Sequence, residues 1–219
     1  EYPFTNEFAD ISAEEFVEEI LIKQLHAKVI VIGSNNKFGK QQKGNAQFLK
    51  EREKKWGLKV IEIPPVLYQG EIISSTRVRE ELSKGNISKV NELLGIPYII
   101  MGKVLEGKKL GNTFGYPTAN IAAEKDRIYP PNGVYLTRTK WNGKYYHSVT
   151  NIGYNPTVNG KNKVIETYII DFNSNLYDEV VEIEFYQWIR SEQKFSNVEE
   201  LIKQMKKDVD LAKTYFANF

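Results

Sequence analysis

The chain has 219 residues, 41% of them hydrophobic and 26% charged, with a formal net charge of +2 at pH 7. That is the composition of a soluble globular protein with one large domain or two small ones. It has no cysteine, which excludes disulfides and thiolate chemistry, and no apolar run approaches the ~20 residues of a membrane helix. Residues 1–96 hold 14 acidic and 14 basic side chains, and the remainder hold 14 and 16. Neither half is a polycation, so no nucleic-acid partner is expected. The lysines and arginines between Lys37 and Lys55 are interspersed with polar residues, as on a solvated face. The opening Glu1-Tyr2-Pro3-Phe4 has no basic or long apolar region, so no signal peptide and a cytoplasmic location are expected. His26 and His147 lie too far apart in sequence for a metal-ligand motif.

The first half alternates helix and strand. Ser12 and Glu15 form a capping box that opens a helix to about Leu25. Lys28 to Ile32 is a β-branched run, closed by Gly33, that predicts a buried parallel strand. A polar loop follows from Ser34 to Asn45, then a charged helix to Trp56 and a second strand from Leu58 to Ile63. Helices are predicted at about Thr76–Lys84 and Ile87–Leu94. This rhythm implies a parallel sheet with a right-handed crossover.

The pattern changes at Gly95-Ile96-Pro97, and the domain boundary is placed near residue 96. Strands are predicted at Tyr98–Leu105, Gly133–Trp141, Lys144–Ile152, Val164–Phe172 and Val180–Trp188. Asn142-Gly143 between two of them is a strong hairpin signal. Ser196 and Glu199 form a second capping box, opening a helix to about Phe216. The expected architecture is α/β plus β: a partial Rossmann-like domain, then a small antiparallel β-barrel with a C-terminal helix.

Gly107 to Gly115 places three glycines and two lysines together, so backbone N–H groups could approach a phosphate chain. The spacing is neither a P-loop nor a Rossmann fingerprint, and a plain hairpin loop explains it equally well. Thr118 and Asn120 flank Ala119, and in an extended segment positions i and i+2 share a face. Two neutral hard oxygens on one face suit Mg²⁺ whose charge is balanced by nucleotide phosphates. On spacing alone, a Thr/Asn turn after Pro117 is the simpler reading.

The motifs around these residues resemble a known family. They are Gly107 to Ile121, Pro130 to Tyr135, Asn151 to Thr157, Glu166 to Phe172 and Trp188 to Phe195. In order and spacing they are similar to the kinase module of the bacterial bifunctional riboflavin kinase/FAD synthetase, across residues 97–219. The resemblance implies that riboflavin is phosphorylated to FMN with Mg-ATP. Thr118 and Asn120 would contact Mg²⁺ and the ATP phosphates, and Gly107, Lys108, Lys109, Gly111 and Gly115 would cover the nucleotide. Glu166 would take a proton from the terminal ribityl hydroxyl, a role within reach of a glutamate ionised at neutral pH; by itself it reads as a solvated strand residue. Arg190 would meet the flavin carbonyls or a phosphate. Phe195 and Trp188 would wall the flavin, with barrel core as the other reading. Tyr168 and Asn155 depart from a histidine and a basic residue common in the family.

Residues 2–93 resemble the later part of the adenylyltransferase module of the same enzyme, which converts FMN to FAD. The matching segment Ile73 to Arg79 carries Ser74, Ser75, Thr76 and Arg79 at a predicted helix N-terminus, where the helix dipole favours anions. By resemblance it contacts ATP phosphates; a helix cap with exposed arginines is an equal alternative. The family's His-x-Gly-His phosphate motif is absent, and Asn35-Asn36-Lys37 departs from the family's loop. A protein in which only the adenylyltransferase works is therefore disfavoured, and a non-catalytic flavin-binding module with a kinase-like barrel is the remaining alternative. The chain as written is expected not to make FAD efficiently. An FMN adenylylation assay on a chain of verified intact mass checks this, and robust FAD formation would sink it.

Overall fold

The structure is a computed structural model that describes residues 2–106, 115–124, 127–157 and 160–217, without the side chains of 155–157 and 160–162. These fall into two compact units, Glu1–Ile73 and Ser74–Phe219. The boundary expected near residue 96 lies inside the second unit. The reason is burial: Leu82, Ile87 and Val90 of the two preceding helices join the core of the barrel.

In the first unit, α1 (Asn6–Ala9) is capped by Thr5. Next comes α2 (Ala13–Glu15), whose cap Ser12 accepts from the Glu15 N–H at 3.1 Å, as the capping box predicts. The helix then continues as a π-helix, Phe16–Gln24. Strand β1 (Val29–Gly33) is followed by α3 (Ala46–Lys50) and α4 (Glu53–Trp56), two short helices in place of the single one expected. They break at Arg52, whose φ of −111° and ψ of 3° are not helical. β2 (Lys59–Ile63) pairs parallel with β1, Val31 opposite Ile61. Alternation sends Ile30, Ile32 and Val60 into a core with Val17, Leu49 and Leu58, while Val29, Val31, Ile61 and Ile63 stay exposed on the other face. A small hairpin, β3 (Leu67–Tyr68) and β4 (Glu71–Ile72), turns at Gln69-Gly70 with φ of 54° and 81°.

The second unit opens with α5 (Ser75–Ser83) and α6 (Ile87–Leu94). Asn91 stitches α6 to the barrel: its Nδ2 donates to the Phe185 carbonyl and its Oδ1 accepts from the Tyr98 N–H, both at 2.8 Å. The strands are β5 (Tyr98–Leu105), β6 (Thr118–Ile121), β7 (Gly133–Trp141), β8 (Lys144–Thr157), β9 (Gly160–Ile169) and β10 (Val180–Arg190). They close in the order β10-β5-β6-β9-β8-β7, every pair antiparallel. Asn142 and Gly143 turn β7 into β8 with positive φ at both positions, as the pair predicts.

Strand alternation sorts the barrel into two packed layers. Ile100, Val104, Ile121, Ile165, Ile183 and Phe185 fill the interior. Alongside them runs a chain of hydroxyls, Thr139–Ser148–Thr137–Thr150–Thr167, each link 2.8–2.9 Å and every member fully buried. Because a hydroxyl can both donate and accept, each link of the chain pairs one buried donor with one buried acceptor. On the outer face Val134, Leu136, Val149 and Tyr186 pack against Ala212 and Phe216 of the last helix, α7 (Val198–Ala217). The capping box of α7 sits one residue later than expected. Asn197 Oδ1 accepts from the Glu200 N–H at 2.8 Å, and the Glu200 carboxylate reaches back to Ser196, because asparagine caps as well as serine does.

Two interactions fix this arrangement, and each yields a measurable expectation. Thr150→Val keeps the shape but removes the link to Thr137 and Thr167, so stability should fall by about 1–3 kcal/mol. Asp208 of α7 takes Nε and Nη2 of Arg190, at 2.7–3.1 Å, and Gln204 Nε2 at 2.8 Å. Asp208→Ala leaves a largely buried guanidinium without its partner and should cost about 3 kcal/mol. Urea unfolding midpoints at constant slope measure both; unchanged midpoints would show that neither interaction holds the barrel or its helix.

Candidate functional site

The antiparallel register builds the site. Asn120 on β6 stands opposite Glu166 on β9, and Glu166 stands opposite Asn151 on β8. The row continues through Val134 on β7 to Arg190 on β10. A second row beside it runs Thr118, Tyr168, Val149, Leu136. Residues directly opposite across antiparallel strands share a face and stand about 5 Å apart at Cβ. Thr118, Asn120 and Glu166, which the sequence separates by up to 48 positions, therefore meet on one outer patch of the barrel.

Thr118 and Glu166 of this patch line a cavity of about 420 Å³, a volume typical of small-molecule sites, whereas Asn120 is not among its lining residues. Leu201, Met205 and Val209 of α7 form the opposite wall, and Phe195 contributes from the segment between β10 and α7. Val134, Val149 and Tyr168 add apolar surface, while Thr118, Asn151, Glu166 and Glu192 supply polar groups. Burial pushes the Tyr168 phenol above its ordinary range, so this residue presents a neutral aromatic ring, packed edge-on to Tyr116 at 5.1 Å. A second cavity, of about 390 Å³, opens between Pro117, Ala119 and Thr167 and the polar turn Asn173-Ser174-Asn175. Thr118 lines both cavities.

The other expected residues divide. Gly107, Lys108, Lys109 and Gly111 lie outside the described residues, as does the Asn155 side chain. Gly115 is described, with φ of +79°, a conformation that favours glycine. Phe195 is at the cavity. Arg190 borders it too, but Nε and Nη2 go to Asp208 and Nη1 to the Ser191 carbonyl. It is a clamp between β10 and α7 more than a free donor. Trp188 is 40% exposed and lines neither cavity; its indole lies against Gly133 instead. Ser74 caps α5 by accepting from the Arg77 N–H at 3.2 Å, with Ser75, Thr76 and Arg79 exposed around the first turn.

Sequence reasoning missed Asn151 and Glu192 as site residues, although both lie inside quoted family motifs. It also missed Leu201, Met205 and Val209, whose helical spacing was a readable signal. Among the described residues no three His, Cys, Asp or Glu side chains cluster as a metal cage.

The chain is similar to several known proteins. A riboflavin kinase family model matches residues 94–216, and an FAD synthetase model matches residues 1–77. The bifunctional riboflavin kinase/FMN adenylyltransferase of Haemophilus influenzae is 38% identical over 97% of this chain and 69% of its own length. That of Bacillus subtilis is 37% identical over 98% of this chain and 68% of its own. A crystal structure from Streptococcus pneumoniae, described as a macrolide-efflux protein, superposes with a TM-score of 0.85 at 35% identity, covering 96% of this chain and 67% of that one. No helix among the described residues is long and apolar enough to cross a membrane. The chain belongs to the bifunctional riboflavin kinase/FMN adenylyltransferase family, with the riboflavin kinase part on the barrel and the FAD synthetase part at its start.

Proposed function

We propose that residues 97–219 transfer the γ-phosphoryl group of ATP to the terminal ribityl hydroxyl of riboflavin, giving FMN. The observation that carries this reading is Thr118, which lines both cavities, with Asn120 and Glu166 in register beside it. A flavin suits the larger cavity, where Val149, Met205 and Phe195 offer apolar surface to a planar ring. The nucleotide suits the second, whose Asn173, Ser174 and Asn175 offer hydrogen bonds to a base or sugar. The two substrates then meet at β6, as an in-line transfer requires.

Glu166 takes the hydroxyl proton as the oxygen attacks, and the protein otherwise acts by positioning. Thr118 and Asn120 would hold Mg²⁺ together with the phosphates; the ion neutralises phosphate charge when bound. The segment from Gly107 to Gly115 is proposed to cover the nucleotide, and Arg190 and Phe195 to bound the flavin. Residues 1–96 are assigned to the adenylyltransferase module, with Ser74, Ser75, Thr76 and Arg79 as phosphate contacts in FAD synthesis by the full-length family. The cytoplasm is the proposed location.

Chromatography of FMN formed from riboflavin and Mg-ATP tests the reading. Glu166→Ala should lower turnover by roughly 10²- to 10⁴-fold, the range of a lost general base, with an unchanged circular dichroism spectrum. Undiminished turnover refutes the assigned base. No turnover by the parent chain favours a non-catalytic flavin-binding module.

A further inference from the structure

Glu192 stands in the segment between β10 and α7, on the same cavity as Glu166. Its two carboxylate oxygens are held separately: Asn132 Nδ2 donates to Oε2 at 3.3 Å and Asn151 Nδ2 donates to Oε1 at 3.4 Å. Asn151 is also the cross-strand neighbour of Glu166, so one asparagine links the two carboxylates. Beneath Glu192 lies Gly153, two positions along the same face of β8. A Cβ there would come within 2.1 Å of Glu192 Oε1 and 2.8 Å of its Cδ. The absence of a side chain at position 153 is what lets the carboxylate lie against the strand.

Among the described residues no lysine or arginine forms an ion pair with Glu192. A carboxylate has about four lone-pair positions, and two long amide contacts leave room for more donors. Glu192 is exposed, so water supplies those donors while the cavity is empty, and a molecule that fills it has to replace them. Glu166 marks the reacting end of the substrate, and Glu192 is one asparagine away from it. The ring-binding surface, Val149, Leu201 and Met205, carries no such acceptor.

We infer that Glu192, positioned by Asn132, Asn151 and Gly153, is a specificity-determining residue that accepts hydrogen bonds from the secondary hydroxyls of the ribityl chain. This rests on the riboflavin kinase reading above. The carboxylate selects flavins with a polyol side chain, because an alkyl chain in the same place leaves a desolvated charge without a donor. It also aligns the chain so that its terminal hydroxyl reaches Glu166.

The test compares riboflavin with 7,8-dimethyl-10-(5-hydroxypentyl)isoalloxazine, which keeps the terminal hydroxyl and lacks the secondary ones. The 219-residue parent should prefer riboflavin by kcat/KM. In Glu192→Ala, kcat/KM for riboflavin should fall about 10- to 100-fold, as for a lost hydrogen bond to a charged group, while the value for the analogue changes less than about twofold. Gly153→Ala, which displaces the carboxylate without removing it, should reproduce the loss, and Glu192→Gln should restore part of it. Equal losses for both flavins, or no loss for either, overturn the inference. A parent that shows no preference overturns it as well. A folded parent that phosphorylates neither flavin removes the kinase reading itself, and is distinguished from the other outcomes by the absence of any turnover.

Discussion

The register of β9 is the constraint on which the site depends. Glu166 lies between Asn120 and Asn151 because β9 pairs with β6 on one side and β8 on the other. A slip of one residue would turn Glu166 into the barrel and bring Thr167 out. Two sets of interactions forbid that slip. Inside, Thr167 ends the chain of hydroxyls and Ile165 packs in the core. Outside, Tyr168 and Ile170 meet the surface under α7. The same alternation that buries the hydroxyls presents the reactive oxygens, so the stability of the barrel and the geometry of the site follow from one pairing pattern.

The cavity has a second requirement. A barrel surface alone is convex and encloses nothing. Concavity arises where α7 lies across it, anchored at Phe216, which packs against Tyr186 at 5.3 Å and stacks on His147 at 4.6 Å. Nearer the cavity the anchor is electrostatic, the forked contact of Arg190 with Asp208. Leu201 and Met205, which precede Asp208 on α7, and Val209, which follows it, line the cavity. Methionine is unbranched and adapts to the shape it meets.

Much of this was legible in the sequence. The period-two runs and Asn142-Gly143 predicted the strands and their hairpin. The Pro117–Asn120 motif, Glu166 and the order of the surrounding motifs pointed to the family. What stayed hidden depends on packing that separate segments do not announce. The helices from Ser75 to Leu94 read as part of an alternating α/β unit, yet their apolar faces close on the barrel. The family resemblance gave Arg190 a ligand contact; its pairing with Asp208, 18 positions away, shows only in the fold. Glu192 carries no signal of its own in the sequence, because the Gly153 against which it lies is 39 positions away. Cross-strand neighbours such as Asn151 and Glu166 become visible only once the register is known.

The closed barrel and the β1–β2 pair have opposite colloidal characters. A barrel has no free edge, so its backbone offers nothing for another chain to pair with. The two-stranded sheet in the first unit keeps open edges among the described residues, and Val29, Val31, Ile61 and Ile63 give it an exposed apolar face. Open edges and an apolar face are the features on which another strand or chain could pair or pack, and in this chain the described ones belong to the first unit.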